Sequence, residues 1–264
     1  MKKQENRLKK IRIRRGIYVL PNLITTAGLF CGFFSIIASL KDDFFLAAVA
    51  ILGAAVFDGL DGRIARFTNT ASKFGAEYDS LSDVIAFGLA PAILAYNWAM
   101  SFYGKWGWLA AFLFVLCGAL RLARYNIQTG IVESRVFNGL PIPAAAAVVA
   151  TTVLFFDQVA GVQGKLHDPS MLVFVPLLSV LMVSNIKYYS FKDLGLFARK
   201  PFMTFFLLVL ALIIVLAQPV VMAFVAMFSY AISGPIWWMF RFSRQKHQNS
   251  RERKLRAKEI DQGI

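Results

Sequence analysis

Residues 44–67 read FFLAAVAILGAAVFDGLDGRIARF, and residues 73–99 read KFGAEYDSLSDVIAFGLAPAILAYNWA. Each stretch contains an apolar run suited to a membrane helix, which takes roughly 20 residues. Each also carries two aspartates at one end, Asp58 with Asp61 and Asp79 with Asp83. Because the connection between the stretches is short, the pattern predicts two antiparallel membrane helices whose acidic ends meet at one membrane face.

The rest of the chain is also apolar. Hydrophobic residues make up 58% of 264 positions and the mean hydropathy is +0.58, which exceeds what a soluble core of this length hides. The predicted fold class is therefore an all-α polytopic membrane protein with about eight transmembrane helices. Gln218-Pro219 is the expected turn between the last two, because Pro cannot continue a helix. The predicted spans are residues 20–40, 44–66, 76–99, 107–126, 140–159, 170–186, 202–217 and 219–240.

The basic residues are distributed unevenly. The net charge of +14 would indicate a nucleic-acid partner in a soluble protein. Here, 26 of the 29 Lys and Arg residues fall in alternate connections between spans, namely residues 1–16, 63–73, 121–136, 187–200 and 241–258. The positive-inside rule then places both termini in the cytoplasm. The charge indicates topology and contact with anionic membrane lipids, and no nucleic acid is expected as a partner.

Composition changes only at the two ends of the chain. We expect a basic cytoplasmic segment at residues 1–16, one transmembrane domain at residues 17–240, and a basic cytoplasmic tail at residues 241–264. The apolar stretch after the leader is too long for a cleaved signal peptide. The expected localisation is the cytoplasmic (inner) membrane, multi-pass, with the active site at the cytoplasmic face.

The four aspartates are the main functional candidates, since ionisable groups at membrane depth are costly and usually face a cavity. Residues three or four apart share a helix face, so each pair projects as a unit and all four can converge. Close carboxylates repel one another at low dielectric, which predicts a cation between them. An all-oxygen ligand set favours Mg²⁺ or Mn²⁺ over zinc.

Small residues surround the aspartates. Gly62 and Ala65 have little side-chain bulk, so that a flat or charged ligand can approach the backbone. The guanidinium of Arg66 can form two hydrogen bonds to a phosphate group. Gly28 and Gly32 form a small-residue pair in the first span, and for them we favour close helix packing.

The spacing of these residues matches a known signature. The pattern is Asp58-x2-Asp61-Gly62-x2-Ala65-Arg66-x8-Gly75-x3-Asp79-x3-Asp83. It resembles the complete motif of the CDP-alcohol phosphotransferase family, at all eight fixed positions and every spacing. A match of this length across two adjacent membrane helices is a specific signal, whereas a lone glycine motif is not.

The resemblance implies roles for individual residues. Asp58, Asp61 and Asp79 would bind divalent metal, two ions in all, with help from Asp83, which would also act as the general base. The family is also expected to form homodimers. The residues expected to bind CDP-diacylglycerol are Asn22, Thr25, Gly62, Ala65, Arg66 and Ser72. Helix capping is the alternative role of Asn22, Thr25 and Ser72.

Three further segments resemble bacterial and archaeal phosphatidylserine synthases within that family. They are SDVIAFGLAP at 82–91, CGALRLARYN at 117–126 and FNGLPIPA at 137–144. The resemblance implies L-serine as the acceptor, and a buried cation would hold its carboxylate. The residues expected to bind the acceptor are Arg121, Arg124, Asn126 and Asn138. Alternatively, the two arginines extend their charged ends to the membrane surface and only reflect the orientation of the helix in the membrane.

The predicted reaction moves the phosphatidyl group from CDP-diacylglycerol to the serine hydroxyl and releases CMP, with Asp83 taking the hydroxyl proton. The same transfer to glycerol 3-phosphate or an inositol phosphate is an alternative. An ion-coupled membrane transporter is the alternative from another class. The clustering of the acids at one membrane face argues against a transporter.

Overall fold

The chain folds as a helical membrane protein. A computed structural model describes residues 2–68, 72–128, 136–162, 164–189, 209–210, 213 and 215–239. Its helices are α1 (Lys2–Leu40), α2 (Phe44–Phe67), α3 (Lys73–Tyr103), α4 (Lys105–Gln128), α5 (Ile142–Gln158), α6 (Ser170–Val183) and α7 (Pro219–Met239). Strands β1 (Val136–Asn138) and β2 (Lys187–Tyr189) form a small antiparallel pair. The predicted all-α polytopic class is confirmed.

The helices follow the predicted spans closely. In the described part of the chain, five segments are long and apolar enough to cross a membrane: residues 20–40 of α1, and α2, α3, α4 and α7. Helices α5 and α6 are apolar but shorter. Gln218 forms a bend directly before α7, where the turn was predicted. The predicted span 202–217 lies mostly outside the described residues.

Helix α1 extends well beyond the predicted first span. It begins at Lys2 and contains Pro21, so the basic segment and the membrane span form one continuous helix. Lys, Arg, Gln and Glu all have high helix propensity, which explains why the helix continues into the polar segment. Hydropathy alone marks only the apolar part of such a helix.

Helix α3 is irregular in the membrane. Its α-helical segments Lys73–Asp83 and Ala90–Ala95 alternate with π-helical segments Val84–Leu89 and Tyr96–Met100, and Ser101–Tyr103 form a final 3₁₀ turn. Such π-helical turns occur frequently at functional sites, and the first one begins directly after Asp83.

Helices α1 and α3 pack in close contact beside this π-helical turn. A Cβ atom added to Gly32 would lie 2.6 Å from the Cα atom of Ala86. Only glycine allows the two backbones to approach this closely, so the packing role predicted for Gly32 is confirmed. At Gly28 an added Cβ would lie 3.5 Å from the Cβ of Phe57, which is an ordinary contact.

The two-stranded sheet connects the middle of the chain to the end of α6. Residue Val136 pairs with Tyr189, and Asn138 pairs with Lys187. Gly139, at φ 83°, follows β1 and its N–H donates to the Ile186 carbonyl at 2.8 Å. The polypeptide after α4 is thereby held against the polypeptide after α6.

Candidate active site

The four aspartates lie around one cleft. Asp58 and Asp61 occupy the last three turns of α2, and Asp79 and Asp83 lie in the first three turns of α3. Carboxylate oxygens of Asp58, Asp61 and Asp79 all lie within 4.8 Å of one another. The convergence predicted from the spacing is therefore observed for these three, and Asp83 lines the same cleft.

The cleft lies between α1, α2 and α3. Its acidic residues are at one end and its apolar residues at the other. It is lined by Thr25, Gly28, Leu29, Ala54, Asp58, Asp61, Asp79, Ser82, Asp83, Ala86 and Phe87. Neither lysine, arginine nor histidine is among these residues, so the lining itself supplies no positive charge.

Asp61 is the most deeply buried of the acids, with 5% of its surface exposed. Thr25 Oγ1 lies 2.8 Å from Asp61 Oδ2 and 3.1 Å from the Pro21 carbonyl oxygen. The hydroxyl has a single proton, and the charged carboxylate is the stronger acceptor. Thr25 thus orients Asp61 from the neighbouring helix.

The carboxylate cluster fits a divalent metal ion. Three carboxylates within 4.8 Å of one another are strongly repulsive at low dielectric unless a cation lies between them. All the ligand atoms are oxygens, which suits Mg²⁺ or Mn²⁺. Asp58, Asp61 and Asp79 are the residues that can hold the ion.

The residues that the signature assigns to the nucleotide lie beside this cleft. A Cβ atom added to Gly59 or Gly62 would meet no atom of the described residues within 4 Å, so these glycines are not needed for packing against the described helices. Arg66 is exposed in the last turn of α2, and Ala65 beside it is half-buried. This end of α2 therefore presents open backbone and a cation beside the acids.

Asn22 and Ser72 lie near each other on α1 and at the start of α3. Ser72 is the N-cap of α3, and its Oγ accepts a hydrogen bond of 3.0 Å from the Gly75 N–H. Ser72 thus has the capping role that the sequence left open. Asn22 lies inside α1 and caps no helix, and its Oδ1 would lie 3.3 Å from a Cβ added to Gly75.

The two arginines of α4 have different surroundings. Arg121 is 7% exposed, its Nε has no hydrogen-bond partner among the described residues, and it interacts electrostatically with Asp83. Arg124 donates from Nη1 to Val183 O at 3.1 Å and to Asn185 Oδ1 at 3.2 Å. Arg124 therefore binds the end of α6, whereas Arg121 is buried and its charge acts on Asp83.

The two predicted acceptor amides are only partly described. Asn126 Nδ2 donates to Ser80 Oγ at 2.9 Å, which links the end of α4 to the acidic part of α3. Asn138 lies in β1, and its side chain is outside the described part of the structure.

Some residues of the cleft were not singled out from the sequence. Ser82 is buried in the lining, and its Oγ donates to the Tyr78 carbonyl at 2.9 Å. The sequence feature that could have identified Ser82 is its position three residues after Asp79, which puts both side chains on one helix face. Leu29, Ala54 and Phe87 carry no such signal, because an apolar residue in a membrane helix usually faces lipid or another helix.

Comparison with known proteins supports the same assignment. Residues 18–180 match the CDP-alcohol phosphatidyltransferase family. The chain is 42% identical to the CDP-diacylglycerol–serine O-phosphatidyltransferase of Helicobacter pylori, over 85% of this chain and 92% of the relative. It is 39% identical to the archaetidylserine synthase of Methanothermobacter thermautotrophicus, over 67% of this chain and 72% of the relative.

A third relative, the CDP-diacylglycerol–serine O-phosphatidyltransferase of Methanocaldococcus jannaschii, is 38% identical over 68% of this chain and 78% of its own length. The region that matches the family, residues 18–180, contains the aspartate cleft and all eight positions of the signature. The resemblance inferred from the motif is thereby confirmed. The chain belongs to the CDP-alcohol phosphatidyltransferase family, whose members are metal-dependent transferases.

Proposed function

We propose that this protein transfers the phosphatidyl group of CDP-diacylglycerol to the hydroxyl of L-serine, giving phosphatidylserine and CMP. The observation that carries the choice of serine is the buried Arg121, whose charge acts on Asp83 and which is a single cation suited to one carboxylate. The names of the relatives from Helicobacter pylori and Methanocaldococcus jannaschii support the same acceptor.

In the proposed reaction Asp83 is the general base. Its carboxylate takes the proton of the serine hydroxyl, and the serine oxygen attacks the phosphorus bonded to diacylglycerol. The bond from that phosphorus to the bridging pyrophosphate oxygen breaks, and CMP leaves with the electron pair. Asp83 is suited to this step because it lines the cleft, while the closest carboxylate group consists of Asp58, Asp61 and Asp79.

The other three aspartates anchor the metal. Two Mg²⁺ or Mn²⁺ ions, held by Asp58, Asp61 and Asp79 with help from Asp83, would neutralise phosphoryl oxygens and the leaving CMP. Thr25 keeps Asp61 in place through the 2.8 Å hydrogen bond. A metal-binding side chain that is already held in one rotamer loses less conformational entropy when the metal binds.

The cytidine diphosphate would lie along the exposed end of α2. Gly62 and Ala65 leave space for it beside the backbone, and Arg66 can pair with a phosphate oxygen. Asn22 and Thr25 of α1 would approach the nucleotide from the opposite side of the cleft. Ser72 contributes indirectly, because it caps the helix that carries Asp79.

The acceptor would enter from the side of α4. Arg121 would bind the serine carboxylate, and Arg124 adds positive charge nearby. The amides of Asn126 and Asn138 would face the ammonium group through their oxygens. A phosphorylated acceptor would need several cations together, whereas here Arg124 is engaged with the end of α6.

We further propose the domain division, cellular location and assembly that the sequence indicates. Residues 17–240 would form the catalytic membrane domain, with cytoplasmic basic ends at residues 1–16 and 241–264. The protein would lie in the cytoplasmic (inner) membrane as a homodimer among anionic lipids, with its active site at the cytoplasmic face.

The decisive experiment is a CMP-release assay on purified protein with CDP-diacylglycerol in mixed micelles. L-serine should support release, while glycerol 3-phosphate and inositol phosphate should not.

Arg121→Ala should raise KM for serine at least tenfold, since a hydrogen bond to a charged group contributes about 1.5–3 kcal/mol, and should leave KM for CDP-diacylglycerol nearly unchanged. Release with glycerol 3-phosphate but not with serine would refute the acceptor. Ion flux in vesicles without any CMP release would refute the enzyme.

A further inference from the structure

Helices α3 and α4 contact each other at two levels. Near the acidic end of α3, Asn126 Nδ2 donates to Ser80 Oγ at 2.9 Å. Farther along α3, a Cβ atom added to Gly118 of α4 would lie 4.0 Å from the Cα atom of Gly88. From the first contact to the second, the chain advances eight residues along α3 and goes back eight residues along α4. The two helices are therefore antiparallel and keep one register between the contacts.

This register places Arg121 and Asp83 between the two contacts. Asp83 is three residues after Ser80, and Arg121 is three residues after Gly118. In the register of the two contacts, Asp83 is level with Ala123 of α4. Arg121 is two residues away from that level, which is about 3 Å along the axis at 1.5 Å per residue. The packing of α4 on α3 therefore sets the height of Arg121 relative to Asp83.

The π-helical turn of α3 directs Asp83 toward the side that carries Gly88. In an α-helix, residues five apart point in widely different directions, because 3.6 residues complete one turn. The hydrogen bonds of a π-helix join residues five apart, so Asp83, directly before the turn, and Gly88, within it, lie nearly one above the other. On α4, Arg121 shares a face with Gly118, because residues three apart are neighbours on a helix surface.

The side chain of Ile142, the first residue of α5, occupies the space that the two glycines leave. A Cβ added to Gly118 would lie 2.6 Å from Ile142 Cδ1 and 3.4 Å from its Cγ1. A Cβ added to Gly88 would lie 3.8 Å from the same Cδ1 atom. Ile142 is completely buried, so its terminal methyl group is enclosed where α3 and α4 meet.

Hydrogen bonds hold the backbone on both sides of Ile142. The N–H of Leu140 donates to the Leu181 carbonyl at 3.0 Å, which joins this segment to α6. The N–H of Ala145 donates to the Pro141 carbonyl at 2.9 Å in the first turn of α5. Proline restricts φ, and Pro141 directly precedes the helix. The position of the Ile142 side chain is thus fixed by the start of α5.

We propose that Ile142 is a positioning residue for the acceptor. Seated between Gly88 and Gly118, it sets the spacing of α3 and α4. That spacing in turn sets where the Arg121 guanidinium lies relative to Asp83. Arg121 is 7% exposed, and its Nε has no hydrogen-bond partner among the described residues, so the guanidinium keeps a donor for a carboxylate. The inference rests on the proposed function and adds to it a determinant of acceptor affinity.

The test adds one methyl group at Gly118 and then removes one from Ile142. In the CMP-release assay, Gly118→Ala should raise KM for serine about fivefold, as for a weakened polar contact to a charged group. KM for CDP-diacylglycerol should change less than about twofold. The double variant Gly118→Ala/Ile142→Val lacks the Cδ1 atom that the added Cβ would meet. Its KM for serine should return to within about twofold of the wild-type value.

Two further variants complete the test. Ile142→Ala removes the side chain between the glycines without adding an atom elsewhere, so it carries the test even where Gly118→Ala does not fold. Its KM for serine should also rise about fivefold, with KM for CDP-diacylglycerol nearly unchanged. Leu120→Ala is the control on the same turn of α4. Leu120 is 53% exposed, and shortening it should leave both KM values unchanged.

An unchanged KM for serine in Ile142→Ala or in folded Gly118→Ala would overturn the inference. A double variant with the same KM for serine as Gly118→Ala would also overturn it. So would an equal rise of both KM values, because that result indicates general loosening of the site. Failure of the proposed function is a different outcome, in which the wild type itself would release no CMP with serine.

Discussion

At the scale of single residues, the most informative contact is between Thr25 and Asp61. These residues are 36 positions apart, and the hydroxyl lies 2.8 Å from the carboxylate. The family resemblance implies that Thr25 contacts the nucleotide, whereas its charged partner within the protein is Asp61, a metal-binding candidate. Thr25 therefore connects the helix that would cover the nucleotide to the carboxylates that would bind the metal.

Replacing Thr25 by Val should weaken metal binding. The substitution keeps the shape of the side chain and removes the hydroxyl that orients Asp61, and loss of such an outer partner typically lowers metal affinity at least tenfold. We expect the Mg²⁺ or Mn²⁺ concentration for half-maximal CMP release to rise about tenfold. Thr26→Val is the matched control, because Thr26 is next in sequence and bonds to Tyr78 and not to an aspartate. Equal metal dependence in both variants would contradict the role given to Thr25.

We expect Asp58 to bind the metal and Asp83 to act as the general base, so their variants should have different defects. Asp58→Asn removes charge from the closest carboxylate group, so both CDP-diacylglycerol binding and turnover should be lost, with partial recovery at high metal concentration. Asp83→Asn should bind CDP-diacylglycerol nearly as well as the wild type, while turnover falls at least a hundredfold, as expected for loss of a general base. Equilibrium binding and single-turnover CMP release measure the two effects separately. A parallel loss of binding and turnover in both variants would show that the division is wrong.

At the scale of secondary-structure elements, the contact between α1 and α3 sets the shape of the cleft. Gly32 lies directly against the backbone of Ala86, and Ala86 lies in the π-helical turn that follows Asp83. Tyr78 and Thr26 add a hydrogen bond of 2.9 Å between the same two helices, nearer the acidic end. The position of Asp79 and Asp83 relative to Thr25 therefore depends on the close backbone contact at Gly32, whereas the bond between Thr26 and Tyr78 is exposed at the helix surface.

Gly32→Ala should destabilise the protein. The added Cβ would lie 2.6 Å from Ala86 Cα, and because backbone atoms cannot move aside cheaply, overpacking of this kind costs about 1–3 kcal/mol. For a protein of this size we expect the midpoint of thermal unfolding in detergent to fall by about 3–10 °C.

Gly53→Ala is the matched control in the middle of α2. There the added Cβ would meet only Cys31 Sγ, at 3.9 Å, and alanine favours helix over glycine by about 1 kcal/mol. Its unfolding midpoint should stay the same or rise slightly. A Gly32→Ala variant as stable as the wild type would mean that α1 and α3 can separate without cost.

At the scale of the whole molecule, the distribution of basic residues determines the expected orientation in the membrane. The connections that carry 26 of the 29 Lys and Arg residues alternate with connections that carry Lys41, Lys105 and Lys165. Lys165 forms an ion pair of 3.1 Å with Asp42, so two connections of the sparsely charged side lie together. This contact agrees with placing both on the same side of the membrane.

Cysteine labelling should place both termini and the loop 127–139 in the cytoplasm. The native cysteines, Cys31 and Cys117, would first be replaced by Ala. A cysteine introduced at position 248 or 131 should resist a membrane-impermeant thiol reagent in intact cells and react after permeabilisation. A cysteine at position 165 should react in intact cells. Labelling of position 248 in intact cells would overturn the orientation.

The sequence by itself determined the class of fold, the position of nearly every described helix, and the convergence of the aspartates. These features depend on local properties: the length of an apolar run, and the three- or four-residue spacing that places Asp58 with Asp61 on one helix face. The start of α1 at Lys2 was missed, because a polar helix gives no hydropathy signal.

Only the tertiary structure decided which side chains meet across helices. Arg121 and Arg124 look alike in sequence, yet one is buried near Asp83 and the other binds the end of α6. Asn126 meets Ser80 across 46 positions, and Tyr188 meets Ala231 across 43. Such contacts depend on the rotation and crossing of packed helices, which result from the fit of whole surfaces. The spacing of residues along one helix does not contain that information.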